Sequence, residues 1–402
     1  MTNPTVSVIV VSRNRPKMLS RCLSGIAQLD YGNFEVVVVA DLAGCAVVPD
    51  GMLAVPFDQP NISAARNLGI SNAAGDIIAF IDDDAVPEPT WLKYLVQPFS
   101  DPEVAASGGF VIGRNGISFQ WKARMAFPDG SAVTMAVSEN ESTVLQGEPG
   151  RAIKTEGTNM AFRARVLRDM NGFDTAFAFF LDETDLNMRL AAMGGRTAIT
   201  PFALVHHGFA ESPRRTAGRV PRDLTAIGKS LRAFVQKHNA TLNPLTARQS
   251  ERDSQRRRLI QHMCAGTLMP GDVGRILHSF DRGWNQEPVE MVQSVEPCER
   301  PFMRFTSHFS SAPTVVIAGR FWQKSKLFAE AEARIAEGRR VFVIMLSFTT
   351  RFHAVHFDSR GFWVQQGGQF GKSDRSGRLI QFWRAKRRID AERLRVSTVR
   401  NI

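Results

Sequence analysis

Three apolar runs near the N-terminus constrain this chain more than any other feature: "TVSVIVVS" at 5–12, "FEVVVVAD" at 34–41 and "IIAFIDDD" at 77–84. Each is rich in β-branched residues and nearly continuous rather than alternating, as expected of strands buried on both faces. Between them lie "RPKMLSRCLSGIAQL", with Met18, Leu19, Cys22 and Leu23 at helical spacing, and "NISAARNLGISNAAGD", a helix with Ser63 as candidate N-cap. Alternation of strand and helix predicts an α/β fold, a parallel sheet with helices on both faces. Ligands of such sheets sit at the carboxyl ends of the strands. The residues just after the strands are Arg13, Asp41 and the run Asp82, Asp83, Asp84.

Three carboxylates closing a buried strand repel one another, and burying any of them unpaired is costly, so the run calls for a compensating cation. Alternate side chains of an extended strand share a face, which puts Asp82 and Asp84 together and turns Asp83 elsewhere. Two hard oxygen ligands suit Mg²⁺ or Mn²⁺, ions that share carboxylates with substrate phosphates. The competing reading is a solvated acidic turn, and the position after a βαβ unit favours the cation.

Residues 100–150 read as irregular. "GTNMAFRARVLRDMNGFD" places a strand before a helix, and "LDETDLNMRLAAMGG" is an amphipathic helix through Leu186, Leu190 and Met193, stopped by Gly194 and Gly195. "TAITPFALVHHG" is extended and ends in paired histidines. Charge divides the chain. Residues 1–210 carry 16 Lys+Arg against 22 Asp+Glu, whereas 211–402 carry 34 against 17, so the net +11 belongs to the second half. That half reads as basic and helical from 211 to about 260, then as a connector rich in Pro and Glu to about 312. From "PTVVIAG" the β, α, β pattern restarts. The predicted domains are 1–210, a basic helical extension and connector over 211–312, and a small α/β domain over 313–402.

The four cysteines, Cys22, Cys45, Cys264 and Cys298, lie far apart with no CxxC pair, which argues against a zinc or disulfide framework and fits a reducing compartment. The first residues lack the charge and cleavage pattern of a signal peptide, and no stretch approaches the roughly 18 apolar residues of a membrane span. A cytoplasmic protein is expected, with peripheral contact at a membrane face left open.

Seven segments taken in order, "VSVIVVSRNRP", "FEVVVVAD", "SAARNLGISNAAGDIIAFIDDD", "GTNMAFRARVL", "GFDTAF", "DETDLNMRL" and "VHH", make the first 210 residues resemble a family-2 glycosyltransferase. The resemblance implies a GT-A nucleotide-diphospho-sugar transferase fold, with a Rossmann-like mixed sheet, and inverting transfer from a nucleoside-diphosphate sugar, a UDP-sugar foremost, to a glycan or lipid-linked acceptor. It implies that Val11, Arg13 and Asp41 hold base and ribose, that Arg66 and Asn67 reach the diphosphate, and that Gly157 and Asn159 lie near the donor sugar. Among the aspartates, Asp84 would hold the metal, Asp83 the ribose, and Asp82 one or the other. The catalytic base falls on Glu183 by alignment, with Asp182 able to do the same work because the usual Glu, Asp order is reversed here. A histidine completes the metal's coordination, His206 before His207. Cell-surface polysaccharide or glycolipid synthesis is the implied setting.

The basic second half, including "RLIQFWRAKRRIDAERLR", allows a different class of function, the binding of nucleic-acid phosphates. The acidic first half opposes a polyanion, and no nucleic-acid fold is recognisable, so nucleic acid is disfavoured. Attraction to anionic lipid or to an acidic acceptor is the third use. "FWVQQGGQFGKSDRSG" is a candidate acceptor loop.

Overall fold

The apolar runs form neighbouring parallel strands. In the computed structural model, which describes residues 3–208, 211, 214–239, 243–287, 295–374, 377 and 384–402, β1 (Val6–Ser12), β2 (Phe34–Ala40), β3 (Leu53–Pro56) and β4 (Ile77–Asp82) run parallel in spatial order β3-β2-β1-β4. They are linked by α1 (Pro16–Ile26), α2 (Leu42–Cys45) and α3 (Ile62–Ser71). Val6, Val8 and Val10 pack with Leu19, Cys22, Leu23 and Ile26 of α1, while Ile9, Val37, Val39 and Phe80 face Ala65 and Ile70 of α3. Full burial of one such side chain contributes roughly 1.5–3 kcal/mol, more than the ~1 kcal/mol span of strand propensity. Two-sided burial therefore sets these strands in place.

The helix α3 is capped by Asn61, whose side chain accepts from the Ala64 N–H at 3.1 Å. Ser63, the expected cap, instead donates to the Phe177 carbonyl at 2.7 Å, because it already lies inside the first turn.

After β4 come β5 (Ala85–Pro87), α4 (Trp91–Val96) and the long β6 (Val104–Ile112). The stretch read as irregular holds four short strands, β7 (Phe119–Trp121), β8 (Arg124–Ala126), β9 (Ala132–Thr134) and β10 (Thr143–Gln146), and β11 (Ala152–Lys154) follows just past it. Then follow β12 (Met160–Arg163), α5 (Ala164–Asp169), α6 (Asp182–Ala192) and β13 (Arg196–His207). The main sheet continues from β4 through β12, β6, β13 and β10, with β12 antiparallel to both neighbours. The result is a mixed α/β sheet, and its parallel strands end level: Val11 lies opposite both Val39 and Asp82.

The basic half begins with three helices, α7 (Thr225–His238), α8 (Pro244–Cys264) and α9 (Pro270–Trp284). The last stands where the composition predicts a connector. Its Ile276, Leu277, Phe280 and Trp284 repeat at helical spacing and bury in one cluster with Leu231 and Phe234 of α7. Further on, the chain lies along the main sheet, where Arg300 pairs with Glu35 at 2.9 Å and the Phe305 ring meets Phe34 at 5.5 Å.

A second sheet follows, made of β14 (Val315–Arg320), β15 (Val341–Ser347), β16 (Ala354–Phe357) and β17 (Trp363–Gly368), in the order β14-β15-β17-β16. The helix α10 (Lys324–Ala336) connects its first two strands, and α11 (Ala385–Arg400) closes the chain. The expected acceptor loop is here a strand: Trp363, Val364 and Gln365 are buried in the middle of this sheet. Residues 375–376 of that segment lie outside the described residues, as do 378–383 at the start of the basic run. Arginines of that run are in part internal, since Arg388 and Arg395 pair with Glu392 at 2.9 and 3.0 Å. All four cysteines are unpaired. Among the described residues no helix is long and apolar enough to cross a membrane.

Candidate active site

The strand β4 ends on Asp82 and the turn after it carries Asp83 and Asp84, and the three meet different surroundings. Asp82 keeps 30% of its side chain exposed, while Asp83 and Asp84 are buried. Asp84 Oδ1 lies 3.2 Å from His207 Nε2, and ligand atoms of Asp82, Asp84 and His207 all fall within 4.8 Å of one another. Two carboxylates and an imidazole are a donor set that fits Mn²⁺ or Mg²⁺.

The histidine preference is reversed. His206 and His207 are adjacent on β13, so they point to opposite faces, and the strand turns His207 to the aspartates. His206 Nε2 instead meets Glu88 Oε1 at 2.7 Å on the far side, where Glu88 also receives two hydrogen bonds from Arg400 at 2.7 and 2.8 Å. Asp83, expected at the ribose, is buried and bonded within the chain. Its carboxylate accepts from Ser12 Oγ at 2.6 Å and pairs with Arg15 at 2.7 Å. Burial pushes it up to about 7 against the pull of Arg15, and Asp84 and Asp82 add to the rise.

The loops after β1 and β2 are bound to each other. Asp41 caps α2, accepting the Gly44 N–H at 2.7 Å with one oxygen and the Asn14 N–H with the other. Both oxygens are thus committed to backbone donors, which is not the base-reading role expected of Asp41. Arg13 is exposed and pairs with Asp58 at 2.7 Å, and Val11 is half-buried beside them.

Arg66 is the centre of the cleft. Nearly inaccessible, its guanidinium pairs with Asp182, reaches Asp82 at 3.4 Å and donates to the Gly157 carbonyl at 3.1 Å. A Cβ on Gly157 would stand 2.7 Å from Arg66 Nη2, so glycine is what lets the guanidinium in. Asn67 and Asn159 serve elsewhere. Asn67 exchanges two 2.7 Å bonds with the Phe173 backbone. Asn159 donates to the Phe110 and Ala203 carbonyls and accepts from Trp91 Nε1, and it is fully buried. Neither amide faces the cleft as the diphosphate or sugar contact expected of it; both hold loops.

The helix α6 opens on Asp182 and Glu183, after Phe180 (φ 77°) and Leu181 (φ 65°) in the left-handed region. Each such non-glycine residue costs about 1–3 kcal/mol, and the turn persists because its surroundings hold it. Ser230 Oγ donates to the Phe179 carbonyl at 2.7 Å, and Leu181 is buried against α7. Burial and the neighbouring Glu183 raise Asp182 above the usual carboxylate range, against the Arg66 guanidinium. Burial would raise Glu183 too, but Lys154, bonded to its carboxylate, pulls it well down. Asp185, one turn on, is held far below its ordinary value despite burial, by His238, Arg189 and Lys237. Sequence reasoning did not find Lys154, which ends β11 just past the irregular stretch and lies 29 residues from Glu183.

A mixed α/β sheet that ends in an acidic cluster able to hold a cation, facing a helix tipped with carboxylates, agrees with the GT-A glycosyltransferase fold. A family model described as glycosyltransferase-like family 2 matches residues 4–225, and the chain belongs to that family. The O-antigen biosynthesis protein RfbC of Myxococcus xanthus is 27% identical over 245 residues, 54% of this chain and 18% of that protein. A pre-mycofactocin glycosyltransferase of Mycobacterium tuberculosis is 27% identical over 210 residues, 50% of this chain and 42% of that one. The chain therefore spans less than half the length of these two relatives. Among solved structures, the mannosyltransferase PcManGT of Pyrobaculum calidifontis, in complex with GDP-Man and Mn²⁺, is 18% identical with a TM-score of 0.42, over 71% of this chain and 89% of that one.

Proposed function

We propose that the chain is an inverting glycosyltransferase that moves a sugar from a nucleoside-diphosphate sugar, foremost a UDP-sugar, to a hydroxyl of a glycan or lipid-linked acceptor in surface polysaccharide or glycolipid synthesis. The observation that carries this reading is Arg66, which spans Asp82 and Asp182 and so sets the cation site beside the carboxylate-tipped helix. Asp82, Asp84 and His207 are the residues to hold Mn²⁺ or Mg²⁺. Bound there, the ion supplies charge to offset that of the departing diphosphate.

Glu183 acts as the base. It keeps 17% exposure against 6% for Asp182, so its carboxylate is the one an acceptor hydroxyl can reach; Lys154 keeps it ionised but also weakens it as a base, and proton transfer needs that ion pair to loosen. The freed oxygen attacks the anomeric carbon opposite the leaving group, and configuration inverts. Asp182 holds Arg66 in place. Catalysis is assigned to residues 1–210, with 211–312 as a basic extension and 313–402 as a small α/β domain. The four unpaired cysteines support a reducing, cytoplasmic setting.

Calorimetry with Mn²⁺ and nucleoside diphosphates tests the reading. The Asp84→Asn variant is expected to lose metal-dependent binding while its fold, followed by circular dichroism, is kept. Parent-like binding by that variant would refute the cation site.

A further inference from the structure

The second sheet has its own carboxyl edge, and that edge is aromatic. Strands β14, β15 and β17 are parallel and end level there, with Arg320 opposite Leu346 and Leu346 opposite Gly367. The turns that follow bring out Phe321, Trp322, Phe348 and Phe352, exposed at 42%, 68%, 60% and 55%. Singly exposed rings are ordinary, whereas four on adjoining turns form a patch of the kind that marks an interaction surface.

The patch is built rather than loose. Trp322 stacks on Phe348 with ring centroids 5.8 Å apart, and the Arg320 guanidinium lies 3.8 Å from the Phe348 centroid while donating to Gln369 at 2.7 Å. Lys372 sits over Phe352 at 5.2 Å. The Gln369 N–H bonds the Ser347 carbonyl at 2.8 Å and the His353 N–H bonds that of Lys372 at 3.0 Å, which ties the turns together. Charge here has one sign. Stretches 320–326, 347–353 and 369–373 contain Arg320, Lys324, Lys326, Arg351 and Lys372 and no Asp or Glu.

We infer that this edge docks the protein on a bilayer containing anionic lipid, with the rings entering the headgroup region and the cations on lipid phosphates. Stacking of nucleobases or sugars needs open ring faces. Here Trp322 and Arg320 cover Phe348 and Lys372 lies over Phe352, so of the four rings Trp322 alone is seen to be stacked on one side and largely exposed on the other, and the choice of lipid rests on the five cations. A second copy meeting the same edge through a two-fold would set like charges against like. Lipid phosphate answers the charge, and the interface accepts protruding amphipathic side chains. The surface would bring a transferase to an acceptor held in the membrane, and in that respect it rests on the function proposed above.

The full chain is sedimented with vesicles of phosphatidylcholine, with and without phosphatidylglycerol, over a range of salt, and nucleotide-sugar hydrolysis is measured in parallel without lipid. The parent is expected to bind only the anionic vesicles and to release them as salt screens the charges. Removing both rings in Trp322→Ala with Phe348→Ala should weaken partitioning about a hundredfold, roughly tenfold for each ring taken from an apolar setting. Lys324→Gln with Lys326→Gln should weaken it about tenfold and flatten the salt dependence. Soluble hydrolysis should stay at the parent level in both. Failure of the parent to bind anionic vesicles, equal binding of neutral ones, or undiminished binding by the ring variant would overturn the assignment and leave the transferase reading standing. A concentration-dependent dimer abolished by the ring variant, with vesicle binding unchanged, would give the patch to a second copy and overturn it too. Absent hydrolysis of every donor, with vesicle binding intact, would sink the transferase reading and leave the surface.

Discussion

Two acid–histidine groups lie on opposite faces of one strand. On one face of β13, Glu88, His206 and Arg400 are all buried, and the carboxylate is doubly bonded by the guanidinium, whose charge also rests over Phe342 and Trp363. On the other face, His207 meets Asp84, with Asp82 beside it partly open to solvent. The residue types are nearly the same, yet one group is an internally paired joint that fastens the last helix to the main sheet, beside a cavity of about 760 Å³ that Glu88, His206 and Arg400 help to line, and the other keeps a carboxylate open to solvent. Exposure makes the difference. Glu88 is shut in with its cation, whereas Arg15, Arg66 and Arg215 all reach the aspartate run but Asp82 keeps an edge open to solvent beside Asp84 and His207, where an ion can enter.

The largest effect is expected beside the open site. Glu183→Gln should cut transfer by 10²-fold or more with donor binding near normal, because a base is needed only when the acceptor proton moves. Asp182→Asn should act mainly on donor binding, by releasing Arg66. Steady-state kinetics with parallel calorimetry separates them, and the reverse pattern would make Asp182 the base.

At the paired joint, Arg400→Ala should destabilise the protein by roughly 3–5 kcal/mol, since it strands Glu88 in a buried setting. Asp84→Asn should cost no stability in the same denaturant titration, because it relieves repulsion in the aspartate run. Comparable losses in the two variants would erase the distinction between joint and site.

Opposite pH slopes sharpen the contrast. Despite burial, Arg400 and His206 lower Glu88 from 4.5 to about 2. Its contribution is present above pH 4.5 and is lost as pH falls toward 2, about 3 kcal/mol in all. Asp83 is raised from 3.8 to about 7, so its contribution is full below 3.8 and is lost as pH rises through about 7. Unfolding followed from pH 2 to 8 should show the acid loss in the parent and not in Glu88→Gln.

The smallest effect tests which histidine matters. His207→Gln should weaken Mn²⁺ binding roughly 10–100-fold, and His206→Gln should leave it unchanged. Equal losses in both would mean that the strand does not separate the two rings.

Much of the fold was legible because burial on two faces leaves a local mark. Continuous β-branched runs gave the parallel strands. Asp82 and Asp84 do lie together, but the turn after β4 rather than strand alternation brings Asp84 there. Asp41, Asn67 and Asn159 look like ligand contacts in a motif, and in the structure each bonds backbone groups, Asp41 at the start of its own helix and the two amides on segments distant in sequence, which no motif encodes. The histidine pair failed for a related reason, since alternation says that only one ring faces the aspartates but not which.

The sequence by itself determined the alternating architecture, the level at which the parallel strands end and the acidic character of that edge, since all three follow from spacing and residue type over a few dozen positions. Tertiary structure alone decided the pairings. Arg66 finds Asp182 across 116 residues and Arg400 finds Glu88 across 312, contacts that no local period encodes and that exist only because packing brings the elements together.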